Sequence, residues 1–181
     1  MQPGIALLLR DACPDLAATV HAIELAKRTE GVVHAIFTGE NRPDGNGKGG
    51  KEAIKYDNTT FLARILSLAT WWSEKRGVKV HMHLLENLAD ATLLRLCRAY
   101  RISCLVTGVG NRHDMKREAS RVVRLRKRMA SEEARGYQVL WSVIIPAWHD
   151  FAFKSVITRF EKVVWQNDPV LSGRSYARHE Q

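Results

Sequence analysis

Apolar residues fall along this chain in short blocks whose period changes from block to block. GIALLLR (4–10) is a continuous apolar run behind Pro3, which predicts a strand buried on both faces. Leu16, Val20, Ile23 and Ala26 then recur at helical spacing, with Asp15 as the expected N-cap and Gly31 as the expected closing residue. VVHAIF (32–37) predicts a second buried strand. TFLARILSLATWWSEKR predicts a helix capped by Asn58 or Thr59 and ended by Gly77, and VKVHMHLL (78–85) a third strand. Asn87 is placed to cap a helix over LADATLLRLCRAY, before a fourth strand, ISCLVTG (102–108). A basic helix over 115–131 and a fifth strand, YQVLWSVII (137–145), complete the alternation before Pro146.

Strands separated by helices cannot pair as hairpins. The pattern therefore predicts a doubly wound α/β domain: a five-stranded, mostly parallel sheet with helices on both faces. Its boundaries are 1–146. The remainder, 147–181, reads as an appendage: Phe153, Val156, Ile157, Phe160 and Val164 share one face of an amphipathic helix between Asp150 and Pro169, before a polar tail. A chain of 181 residues, 45% of them hydrophobic, can bury a sizeable core. No apolar run approaches the roughly 20 residues that span a bilayer, and the opening residues lack the basic start of a signal peptide. The expected location is the cytoplasm. Cys13, Cys97 and Cys104 are too few and too scattered for a disulfide framework or a zinc site, and read as small buried residues.

Charge changes the picture at one place. Between Arg112 and Arg128 eight Lys and Arg stand against two acids, which is +6 of the net +9. Met115, Ala119, Val122 and Met129 are the expected core-facing stripe of this helix, leaving the cations on a solvated face. No aromatics are interleaved to stack bases and no helix-turn-helix pattern is present, so nucleic acid is not the expected partner. Polyanion binding through 112–128 remains an alternative.

Other chemistry is sparse. Gly45 to Lys51 imitates a P-loop, but Glu52 occupies the position of the magnesium-binding hydroxyl and the stretch does not directly follow a strand. It reads as a surface loop within 39–52. His81 and His83 lie two apart on a strand and share a face; with no third ligand identifiable, they read as half-buried strand histidines, and no metal is expected. No nucleophile elbow, metalloprotease motif or evident pair of catalytic acids occurs, so the chain is not expected to be an enzyme.

The order of elements over 4–145 resembles the universal stress protein family. IALLLRDACPDLAATVHAIELAKRTEGVVHAIF looks like that family's opening strand, helix and strand, and LLENLADATLLRLCRAYRISCLVTG like the approach to its fourth strand. The family's nucleotide binders carry glycine, two residues, glycine, nine residues, glycine and Ser or Thr after that strand. Counted from Gly108, those positions hold Asn111, Arg121 and Val122. Glycines there admit phosphates to the backbone and to a helix N-terminus, and Arg121 and Val122 add bulk. The family's acid at the end of the first strand falls on Asp11 or, by spacing, on Arg10, and Ser103 stands where an Asp commonly begins the fourth strand. The resemblance implies a retained fold, a degraded ATP site and no bound cofactor, with ATP as the alternative. A nucleotide or anion would lie among Arg10, Asp11, Ala12, Gly108, Gly110, Asn111 and Arg112. It also implies a regulatory binding role in a stress response and a homodimer through 137–145, with Trp141, Trp148 and Trp165 as anchors. The C-terminal helix is expected to pack against protein, either this domain or a second subunit, with a membrane surface as the alternative. An unidentified protein partner completes the expectation.

Overall fold

The most apolar run in the chain becomes the middle of the sheet. In the computed structural model, β1 (Gly4–Leu9) is buried at every residue; Ile5, Leu7 and Leu9 face one core, and Ala6 and Leu8 the other. The structure describes residues 2–10, 14–38, 58–85, 88–131, 140–146 and 154–166. The sheet also contains β2 (Val32–Thr38), β3 (Val80–Leu85), β4 (Ile102–Val109) and β5 (Trp141–Pro146). All neighbours are parallel, in the order β3-β2-β1-β4-β5. The expected doubly wound architecture is therefore present.

Right-handed crossovers dictate the layers. The chain first moves one way through α1 (Pro14–Thr29) and α2 (Asn58–Arg76), so both cover one face. It then returns past β1 through α3 (Asp90–Ala99) and α4 (Arg112–Ser131), which cover the other. The two cores follow this division. Leu16, Val20, Ile23, Ile65 and Leu68 join Ile5 and Leu7, whereas Leu93, Leu94, Val122, Leu125 and Met129 join Ala6 and Leu8.

Several boundaries differ from the sequence pattern, each for a local reason. Helix α1 starts at Pro14, so Asp15 lies in its first turn instead of capping it, and its Oδ2 accepts the Arg10 backbone N–H at 2.7 Å. That bond ties the end of β1 to the start of α1. At the other end Glu30, not Gly31, takes the left-handed conformation (φ 52°), and Gly31 N–H reaches back to the Ala26 carbonyl. Gly31 is needed for space: a Cβ there would lie 2.7 Å from the Pro3 carbonyl oxygen. Helix α3 has Ala89 as its N-cap, without a side-chain bond. The expected cap Asn87 lies outside the described residues, as do 39–57 with their P-loop-like stretch, and 137–139 of the expected fifth strand.

Helix α4 begins three residues earlier than its pattern predicts. Its buried stripe is Glu118, Val122, Leu125 and Met129; Ala119 is exposed and Met115 half-buried. After β5, α5 (Lys154–Phe160) continues as a π-helical turn over Glu161–Trp165. Phe160 is fully buried in the α1/α2 core, 5.8 Å from the Trp71 ring, and Arg64 of α2 pairs with Glu161. Burying a Phe side chain of this kind stabilises by about 2–3 kcal/mol. Among the described residues no helix is long and apolar enough to cross a membrane.

Candidate functional site

Strand order places the crevice of this fold. From β1 the chain proceeds to β2 on one side, while β4 lies on the other, so the carboxyl ends of β1 and β4 diverge at a switch point. Leu8 is opposite Thr107, which sets Arg10 near Gly108 and Gly110 at the ends of their strands. Arg112 then opens α4 above the same edge. The fold thus gathers Arg10, Gly108, Gly110, Asn111 and Arg112 at one end of the sheet. Asp11 and Ala12 lie outside the described residues.

The chemistry at this edge is already satisfied from within. Arg10 Nη2 meets Glu118 Oε1 at 2.5 Å, and the Glu118 side chain is only 4% exposed. Arg117 lies 3.8 Å from the same carboxylate. A desolvated carboxylate therefore occupies the guanidinium that an anionic ligand would use. The helix N-terminus is likewise capped. Asp114 N–H donates to Asn111 Oδ1 and Asn111 Nδ2 donates to Asp114 Oδ2, both at 2.8 Å. Asp114 also pairs with Arg117 at 3.1 Å. Asn111 is thus a helix cap where a nucleotide-binding loop has glycine, and its own acceptor and an acid take the place of phosphate. Arg112, His113 and Lys116 remain exposed at the rim.

Three arginines of the basic segment also contact neighbouring elements. Arg121 Nε lies 3.1 Å from Asp90 Oδ1, and its Nη2 donates to the Leu88 carbonyl; Arg124 Nε lies 3.3 Å from Asp90 Oδ2. Arg126 Nε donates to the Leu140 carbonyl at 2.6 Å. These contacts join α4 to the start of α3 and to the entry of β5. Arg112, Lys116, Arg117, Arg124, Arg126, Lys127 and Arg128 are exposed, so the expected solvated cationic face is present, and Arg121, Arg124 and Arg126 also tie it to neighbouring elements.

A second cluster lies on the α3 face of β2 and β3. His34 is opposite His81 in the parallel register, and Ile36 opposite His83, so the three imidazoles share a face. His34 Nδ1 lies 3.0 Å from His83 Nε2, and the Tyr100 ring packs against both. His34 is 5% exposed; burial, then the imidazoles of His83 and His81, hold its pKa down to about 4. Burial and His81 also lower His83. The sequence pattern singled out His81 and His83 and missed His34. The usable signal was strand adjacency, since neighbouring parallel strands align residues of the same face. Among the described residues no group of three or more His, Cys, Asp and Glu is arranged to hold a metal ion.

The cysteines offer no nucleophile among the described residues. Cys97 and Cys104 are buried, and desolvation pushes their thiols up to about 12 and about 11. A surface hollow of about 360 Å³, lined by Lys27, Glu30, Gly31 and Lys79, lies at the amino ends of the strands, away from the switch point.

No protein-family model matches the sequence, and no curated protein matches it significantly. Among solved structures the chain is similar to universal stress proteins. A protein of that family from Burkholderia pseudomallei is 20% identical, with 80% of this chain and 96% of that chain covered and a TM-score of 0.43. The universal stress protein from Archaeoglobus fulgidus in complex with dAMP is 14% identical, covering 80% and 98%, with a TM-score of 0.46. A universal stress protein in complex with cAMP is 12% identical, covering 80% and 97%, with a TM-score of 0.44.

Proposed function

We propose that this chain is a regulatory binding protein of universal stress protein type that does not bind ATP in the usual way and does not turn over a substrate. The observation that carries this reading is the Arg10–Glu118 ion pair, which gives the guanidinium at the switch-point edge an internal anion. The cap formed by Asn111 and Asp114 supports it, because the helix N-terminus has acceptors of its own. The role is placed in a cytoplasmic stress response, with no resident cofactor. The proposed assembly is a homodimer through the β5 edge, where Trp141 is 65% exposed, bound in turn by a protein partner.

One observation favours a second reading. Arg112, His113 and Lys116 stand exposed beside the crevice, and side-chain cations there could hold a phosphate in place of a glycine loop. The dAMP and cAMP complexes of two similar structures are compatible with such a ligand. Polyanion binding by the whole helix is less favoured, because Arg117, Arg121, Arg124 and Arg126 have internal partners. Titration calorimetry with magnesium ATP separates the readings. The first expects binding no tighter than about 1 mM, or about −4 kcal/mol. A dissociation constant below about 10 µM, abolished by Gly108→Val, establishes the second.

A further inference from the structure

We propose that β3 is a second self-association edge, pairing antiparallel with β3 of another copy of this chain about a two-fold axis at Met82. β3 ends the sheet order. From Val80 to Leu85 it carries no Lys, Arg, Asp, Glu or Pro, and its register with β2 runs without a bulge. Neither helical layer overhangs it. Met82 and Leu84 are 44% and 80% exposed on the α2 side, and His81 is exposed on the α3 side. Natural sheets blunt their edges with charge, proline, bulges or a cover, because a bare edge templates further pairing. Among the described residues β3 has none of these.

The backbone fixes the register. The Val33 N–H donates to the Lys79 carbonyl, and Val33 is opposite Val80. In a parallel ladder the residues flanking a bridged one turn their polar groups to the neighbour, so Lys79, His81 and His83 face β2. Val80, Met82 and Leu84 therefore direct their N–H and C=O groups away from the sheet. The side chains over this stretch are palindromic in type: Val80, His81, Met82, His83 and Leu84 read apolar, imidazole, apolar, imidazole, apolar from either end. Pairing about Met82 sets it against Met82 of the partner subunit, and Val80 against Leu84 of the partner subunit. Each such pair exchanges both hydrogen bonds. Only this register engages all three outward residues of both strands. Apolar side chains then meet on one face, and His81 meets His83 of the partner subunit on the other. A two-fold contact requires a self-complementary patch of this kind, which selects a second copy over an unrelated extended peptide. One strand pair falls below the roughly 1,200 Å² of a stable interface, so the expected dissociation constant is about 100 µM. The contact adds to the β5 dimer and does not replace it.

The test uses the full chain carrying Trp141→Lys, which removes the proposed β5 contact, so that the two interfaces can fail separately. Sedimentation equilibrium should show mainly monomer at about 5 µM and mainly dimer at about 500 µM. Adding Met82→Lys, which opposes two ammonium groups at the axis, should weaken this association at least tenfold. Register is tested by mild oxidation with diamide in a Cys13→Ser background, which leaves two buried native thiols. Met82→Cys should cross-link to a dimer, because residues opposed at the axis lie about 5.5 Å apart between Cα atoms. Leu84→Cys should not, because its two copies stand about 14 Å apart. A monomer at about 500 µM, association unaltered by Met82→Lys, or equal cross-linking of the two cysteine variants would overturn the proposal and leave β3 an open edge.

Discussion

Glu118 is the residue on which the crevice turns. Its position in α4 belongs to the helical stripe of Val122, Leu125 and Met129, yet it is a carboxylate, and Arg10 makes that burial tolerable. Glu118→Gln keeps the shape and a hydrogen-bonding side chain but releases the guanidinium. The expected outcome in calorimetry is at least tenfold tighter binding of ATP or inorganic pyrophosphate than in the wild type; equal affinity would mean that Arg10 is not the competed group. His34 gives a prediction in pH. Its folded pKa of about 4 lies below the ordinary value near 6.5, so protons favour the unfolded chain between the two. Its contribution is fully present above about pH 6.5 and is lost as pH falls towards 4, by up to about 3 kcal/mol. Urea midpoints measured across this range should fall more steeply for the wild type than for His34→Asn.

Elements were legible in the sequence where burial is two-sided or periodic. β1 needed no more than its continuous apolar run, and α3 its spacing of Leu93, Leu94 and Cys97. What escaped were polar residues whose environment is made by distant chain. Glu118 reads as surface because of its type, and its partner lies over a hundred residues away. Arg121 was expected as bulk in a ligand loop, and instead turns to Asp90 of α3. His34 gained meaning only through β3. The end of α1 shows the same limit at short range: Gly31 suggested the left-handed residue, but Glu30 adopts that conformation and Gly31 yields space to Pro3. A left-handed non-glycine residue is strained, so Glu30→Gly should stabilise by about 0.5 kcal/mol, net of the flexibility added to the unfolded chain. Thermal unfolding should register this as a rise of about 1–2 °C.

At the scale of the molecule, both outer strands present apolar side chains. On β3, Met82 and Leu84 are exposed; on β5, Trp141 is. The proposed homodimer uses the second. Trp141→Lys should convert a dimer to a monomer in sedimentation equilibrium while leaving the circular dichroism spectrum unchanged. A dimer that survives this change would move the interface elsewhere. The net charge of +9 also has a different weight once the fold is known. Arg112, Lys116, Lys127 and Arg128 are exposed along α4, so the excess positive charge is presented mainly by that one helix.

Phe160 gives the order of synthesis a role. The ring that fills the α1/α2 layer comes from the last described helix, while its neighbours Ile65, Leu68 and Trp71 belong to a helix made much earlier. A growing chain can pair β1, β2 and β3 as they emerge, yet it presents an open apolar seat until α5 arrives. Products of interrupted translation would carry that seat unfilled, which is the kind of surface by which chaperones and proteases distinguish an unfinished chain from a finished one.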